Sequence, residues 1–261
     1  MRFSFLGFLF LFLAASCGNN TPTDPGETVL PAQAAISTPI SFQTGDGFTI
    51  AGTWFTPTQQ TTPRPVVILL HAFNQNHTQW FAWTPDFVVE NGYLALAFDI
   101  RGHGASTFQN GQPLPLAEFS LDDINAMPQD VEAAIAWVKT RPEADPTRIA
   151  VIGTDIGANI AFISSGSYPE VRTAVSISPE YRENQASQTL VGTNIPGFQP
   201  HTMLFLASFG DRYAFTSSQT MAQLTQGEAR VVGLQGIAHG LDLLNDTEAW
   251  NELVNWLEAH L

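Results

Sequence analysis

Three side chains stand where local pattern alone places reactive chemistry. Asp155 falls in Ile149-Ala150-Val151-Ile152-Gly153-Thr154-Asp155-Ile156-Gly157-Ala158-Asn159, which reads as an apolar strand, a tight turn and the start of a helix. Asp211 lies in Ala207-Ser208-Phe209-Gly210-Asp211-Arg212-Tyr213, just after another apolar run. His239 sits among small residues in Gly236-Ile237-Ala238-His239-Gly240, after the last such run. An aspartate is already ionised at neutral pH, so it can attack an electrophilic carbon without first losing a proton. The same carboxylate at a helix N-terminus can instead accept backbone N–H groups and suit the dipole, an effect of up to about 1–2 kcal/mol. An imidazole titrates near neutrality and suits general-base work. His71 and His103 fall in a loop and a turn where an orienting role is the plainer reading, and His77, His201 and His260 have no comparable setting.

These residues need a frame. Two β-like runs, 40–44 and 48–55, flank Gly45-Asp46-Gly47, a hairpin signal. Residues 65–70 form a continuous apolar, β-branched run, as expected of a strand covered on both faces. A polar loop, 71–79, leads to a predicted helix through Phe87, Val88 and Val89 that Gly92 ends. Residues 93–100 are the next buried strand, stopping at the 101–106 turn. Residues 127–140 show helical spacing, with Val131, Ala134, Ile135 and Val138 on one face. Strand 148–152, helix 156–165 and strands 171–177, 202–207 and 229–234 follow, and an amphipathic helix over 241–260 closes the chain. Alternating helices and uninterrupted apolar strands predict an α/β domain with a mostly parallel sheet and helices on both faces. In such sheets the loops after the strand C-termini share one edge, where ligands bind. Asp155, Asp211 and His239 all fall on loops of that kind.

The formal charge of −14 rests on few basic residues, with Lys139 the single lysine, and charged residues are 13% of the chain. That surface lacks the clustered Lys/Arg footprint nucleic acid requires. His71 and His77 share a loop without Cys, Asp or Glu at ligand spacing, so no metal site is expected. Arg101-Gly102-His103-Gly104 lacks the later residues of a phosphate-binding loop, and no cofactor is implied. At the N-terminus, Arg2 and the apolar run 3–13 read as a targeting signal too short to span a bilayer comfortably. It ends in Leu13-Ala14-Ala15-Ser16-Cys17, which resembles the lipobox of bacterial lipoproteins, with Cys17 the sole cysteine. The resemblance implies a signal peptide over 1–16 and a lipid on Cys17, with membrane attachment through the acyl chains. Gly18 next to it suits, by the same resemblance, the exported side of the cell envelope. Residues 17–36 are polar, rich in Asn, Thr, Pro and Ala, and are expected to be a flexible tether before a single domain over 37–261.

From about Pro65 onward the chain resembles dienelactone-hydrolase-type α/β-hydrolases. The likeness rests on Leu69-Leu70-His71 with Trp80 and on Ala97-Phe98-Asp99-Ile100-Arg101-Gly102-His103-Gly104-Ala105-Ser106. It continues through Asp145-Pro146-Thr147-Arg148, the Gly153–Gly157 turn with Ala158-Asn159, Ser178-Pro179-Glu180-Tyr181-Arg182, and the Asp211 and His239 loops. It implies the α/β-hydrolase fold and a nucleophile, acid, histidine order, with Asp155 on the nucleophile elbow, Asp211 the acid and His239 the base. The elbow pattern is Gly-x-Ser-x-Gly, and here Asp155 replaces the serine. By the same likeness the backbone N–H groups of Phe73 and Ile156 form the oxyanion hole. An Asp nucleophile would form an alkyl ester that His239-activated water then opens, as in haloalkane dehalogenases and epoxide hydrolases of this fold. Those relatives carry a helical cap, whereas 179–201 offers only a short loop, and the dehalogenases place Trp where Ile156 stands. Asn74, Trp80 and Trp83 are candidate leaving-group donors, and Tyr181 and Tyr213 could activate an epoxide oxygen, although aromatics in such loops more often pack. The enzymatic expectation is therefore hydrolysis of a small uncharged substrate. The alternative is a non-catalytic binding or scaffold lipoprotein in which Asp155 survives as a helix cap.

Overall fold

The computed structural model describes residues 34–181 and 199–261, so the expected signal peptide, Cys17, most of the expected tether and the span from Arg182 lie outside the described residues. The strands are β1 (Ala35–Gln43), β2 (Phe48–Pro57), β3 (Arg64–Leu70), β4 (Leu94–Phe98), the short pair β5 (Phe108–Gln109) and β6 (Gln112–Pro113), β7 (Ala144–Thr154), β8 (Val171–Ile177), β9 (His201–Ser208) and β10 (Gln226–Leu234). They form one sheet in the order β10-β9-β8-β7-β3-β4-β2-β5-β6, with β1 also paired to β2. From β4 to β10 neighbouring strands are parallel, while β2 runs antiparallel to β4 and β1.

The helices are α1 (Leu121–Asn125), α2 (Pro128–Val138), α3 (Ile156–Ser167), α4 (Arg212–Leu224) and α5 (Thr247–His260). Each central strand feeds two cores by alternation. Val66, Ile68 and Leu70 of β3 join Val131, Ala134, Ile135 and Val138 of α2 and Ile160–Ile163 of α3 on one face. Val67 and Leu69 join Leu253, Trp256 and Leu257 of α5, with Phe87 and Val88, on the other. Apolar residues on both faces are why these strands read as unbroken hydrophobic runs. Each such side chain withdrawn from water contributes roughly 1.5–3 kcal/mol.

Several expectations shift in detail. β1 starts at Ala35, inside the stretch expected to be tether. The helix expected around Phe87 is a single π-helical turn, Asp86–Glu90. The closing helix is broken: Gly240–Asn245 is a 3-10 segment, and Asp246 restarts the chain as the N-cap of α5, its side chain accepting from the Glu248 amide. Helix α4 was not foreseen. Its sequence signal is Asp211, whose side chain caps the helix by accepting from Ala214 N–H at 3.2 Å.

A buried ion network secures the strand edge that carries the site. The fully buried Arg101 guanidinium binds Asp130 through Nε at 2.7 Å and Asp46 through Nη1 at 2.7 Å, and its backbone N–H donates to Asp130 at 2.8 Å. It lies 4.6 Å from the centre of the Phe48 ring. The β1–β2 turn, the end of β4 and helix α2 are thereby joined at one charge. Burial pushes the Asp130 carboxyl up to about 6 against the pull of Arg101.

Candidate active site

Asp155 occupies the turn between β7 and α3 with φ 55° and ψ −117°, a strained backbone for a non-glycine residue. The glycines on either side are demanded by close packing. A Cβ on Gly153 would lie 1.9 Å from Gly157 O, and one on Gly157 would lie 2.6 Å from Leu70 O and 2.7 Å from His71 O. The turn thus drives Asp155 up and out of the sheet edge, as a nucleophile elbow does. Its Oδ2 accepts the Phe73 N–H at 3.0 Å. Burial raises the Asp155 carboxyl above the ordinary carboxylate value, against opposing pulls from the Phe73 N–H, His239, the Ile156 N–H and His103.

His239 and Asp211 meet from the loops after β10 and β9. Nδ1 of His239 lies 2.5 Å from Asp211 Oδ2. An ionised carboxylate only accepts, so Nδ1 carries the proton and Nε2 is left as the basic nitrogen. The histidine loop is pinned on both sides: Ser208 Oγ donates to Ala238 O at 2.6 Å, and Gly240 N–H donates to Ser178 Oγ at 2.9 Å. Neither serine announces this in the sequence, because each sits at a strand end far along the chain from the loop it holds.

The loop after β3 supplies the Phe73 amide. His71 is fully buried, its Nδ1 2.7 Å from Ala72 O while Nε2 accepts the Ile100 N–H at 2.9 Å. Burial pushes His71 down to about 4, so it is neutral and orients the loop. Asp99 Oδ1 accepts both the backbone N–H of His77 at 2.8 Å and its Nδ1–H at 2.6 Å, while Oδ2 accepts the Ala105 N–H at 2.8 Å. Burial works to raise Asp99, but these bonds bring it below its ordinary value. Asp99 and the 101–106 turn are therefore a clamp beside the site. His103 is also buried, Nδ1 toward Arg101 O at 3.1 Å, its ring edge-on to Phe73.

The five candidate donors beside the site sit differently in the fold, Trp83 half-buried against the same core cluster as Trp80. Asn74, with φ 58°, is the third residue of a turn closed by Gln75 N–H on Ala72 O, a position where Asn tolerates positive φ. Trp80 is fully buried among Val67, Leu69 and Phe87 rather than exposed to a ligand. The Tyr213 hydroxyl donates to Tyr181 O at 3.1 Å, and Tyr181 N–H donates to Ser217 Oγ at 2.9 Å, so this pair fastens the chain after β8 to α4. Asn159 completes that fastening by holding both the N–H and the C=O of Glu180. Among the described residues no cluster of three or more His, Cys, Asp or Glu could hold a metal ion.

A family model described as alpha/beta hydrolase fold matches residues 65–232. A thiohydrolase of Arthrinium phaeospermum is 28% identical over 146 residues, which is 55% of this chain and 43% of that protein. A quorum-quenching protein of Acinetobacter baumannii is 26% identical over 115 residues, 44% of this chain and 35% of that protein. The chain thus spans less than half the length of these curated relatives. Among solved structures, an esterase of Pyrococcus furiosus superposes with a TM-score of 0.65 at 19% identity, over 86% of this chain and 93% of that one. A dienelactone hydrolase of Anabaena variabilis superposes with a TM-score of 0.62 at 15% identity, over 87% of this chain and 99% of that one. With the family model matched across well over half its length, this chain belongs to the alpha/beta hydrolase fold family.

Proposed function

We propose that this is an envelope-tethered hydrolase, lipid-anchored through Cys17, that opens small uncharged electrophiles with Asp155 as nucleophile. The observation that carries the reading is the split role of the Asp155 carboxylate. Oδ2 rests on the Phe73 amide at 3.0 Å, which leaves Oδ1 as the attacking atom, on an elbow within electrostatic reach of His239. Attack forms a bond from Oδ1 to the electrophilic carbon and breaks the bond to the leaving oxygen or halide, which departs with the electron pair. His239 Nε2 then takes a proton from water as the hydroxide adds to Asp155 Cγ. The oxyanion develops on Oδ2, on the Phe73 amide and beside that of Ile156. Collapse expels the alkoxide, which takes the proton back from His239. The carboxylic acid left at Asp155 gives up its remaining proton, to the oxygen of an opened epoxide or to solvent where a halide left, which restores the carboxylate. Asp211 holds the imidazole and stabilises its charged form. Relatives named as a thiohydrolase and an esterase support hydrolysis as the reaction class.

A second reading, a non-catalytic binding or scaffold lipoprotein, draws on the same contact, since a carboxylate already holding an amide is satisfied without any substrate. The test is turnover by the full chain, in mild detergent, on epoxides, haloalkanes and activated aryl esters, with Asp155→Asn and Asp155→Ser alongside. Epoxide or haloalkane turnover lost in Asp155→Asn supports the nucleophile. A silent wild type with esterase activity only in Asp155→Ser supports the scaffold.

A further inference from the structure

The direction in which the Phe73 N–H points is decided one peptide upstream. A trans peptide is planar, so its C=O and N–H point in opposite directions and fixing one fixes the other. In the Ala72–Phe73 peptide, Ala72 O is held by His71 Nδ1–H at 2.7 Å and by Gln75 N–H at 3.1 Å, which leaves Phe73 N–H facing Asp155. In the preceding His71–Ala72 peptide, Ala72 N–H donates to the Gln79 side-chain oxygen at 3.0 Å. That bond turns Ala72 N–H away from Asp155 and sets the opposite carbonyl, His71 O, toward the α3 backbone, where it sits so close to Gly157 that a Cβ there would lie 2.7 Å from it. Gln79 lies within the single turn His77–Trp80, its own N–H donating to Asn76 O at 3.1 Å, and its side chain reaches back across the loop to Ala72.

We propose that Gln79 is a positioning residue for the proposed reaction, its carbonyl oxygen holding the Ala72 N–H so that Phe73 alone of the loop amides faces the carboxylate of Asp155. The inference rests on the Asp155 reading above. It follows from the acceptor at Gln79 and not from its volume or its amide donor. Replacement by Met keeps the length and removes the acceptor, whereas replacement by Glu keeps an oxygen at the same reach.

The experiment compares the full-length wild type with Gln79→Met and Gln79→Glu, and uses Gln79→Asn, whose oxygen is one methylene short, should the Met variant fail to fold. Turnover of whichever epoxide or haloalkane the wild type accepts is read as separate kcat and KM. The Asp155 carboxyl is titrated by 13C NMR, its resonance assigned by its loss in Asp155→Asn. Gln79→Met is expected to lower kcat about 10- to 100-fold with KM within about twofold, and Gln79→Glu to restore it. In the Met variant Asp155 is expected to titrate higher than in wild type, because the Phe73 N–H that favours its charged form is displaced. Wild-type kcat with an unmoved Asp155 titration in Gln79→Met overturns the proposal. So does an equal loss in the Met and Glu variants with that titration unmoved, which marks a merely structural residue. Should the wild type turn over nothing, the nucleophile reading fails by itself, and the Asp155 titration still decides the role of Gln79 in either direction.

Discussion

Replacing Asp155 with Ala separates a carboxylate kept for chemistry from one kept as a helix cap. Both residues must adopt the same positive φ, so the backbone strain of about 1–3 kcal/mol is common to both and cancels. What differs is the side chain. The Ile156 N–H at the start of α3 pulls on the carboxylate without forming a capping hydrogen bond, and the side chain's hydrogen bond is to Phe73 N–H at 3.0 Å. A bond of that kind contributes about 0.5–1.5 kcal/mol net, toward the low end here because Phe73 is exposed and water can take over its amide. The sign of the pH dependence follows from burial, which raises the folded-state pKa of Asp155 above its unfolded value. A group raised in this way contributes stability that is fully present below the unfolded pKa and is lost as pH rises through the folded one. The cost of Asp155→Ala should therefore be at most about 1 kcal/mol at acid pH, or about 2–4 °C in Tm for a domain of this size, and should shrink toward neutrality. Urea unfolding of both proteins between about pH 3.5 and about pH 7.5 reads this directly. A cost of about 0.5–2 kcal/mol that grows as pH rises would refute the reasoning, since that is how an ionised cap behaves.

Two further outcomes are expected. In His239→Gln the alkyl ester on Asp155 should form but not hydrolyse, so intact-protein mass spectrometry should show the substrate's mass added while steady-state turnover falls by at least about 10³-fold; a variant that stays unmodified argues against attack by Asp155. Asp130→Ala should cost about 3–5 kcal/mol, read as a lowered urea midpoint at unchanged slope, because it strips two of the bonds from a fully buried Arg101 and leaves only Asp46 to balance it.

The elbow was legible because its requirement is local. Gly153 and Gly157 are spaced by the strand-to-helix turn itself, and no other residue fits where a Cβ would strike backbone. Asp211 and His239 were legible for a related reason, since each follows an apolar run and a parallel sheet brings every such end to one edge. The two-sided apolar strands declared the sheet with helices on both faces. The broken closing helix was less visible, because Gly240–Asn245 keeps its apolar Leu residues at nearly helical spacing while the backbone changes type at Asp246.

The order of elements and the identity of the residues delivered to the sheet edge were written along the chain, because both follow from turn chemistry and hydrophobic periodicity. How those residues are held was settled by folding. Trp80 went into the core, Asn74 into a turn, and Tyr213 onto the Tyr181 carbonyl, although all stood in loops beside the site. Gln79 took on the Ala72 amide, and Ser178 and Ser208 the His239 loop. A loop residue's role depends on which distant backbone groups come within hydrogen-bond reach, and neither spacing nor residue type along one chain records that distance.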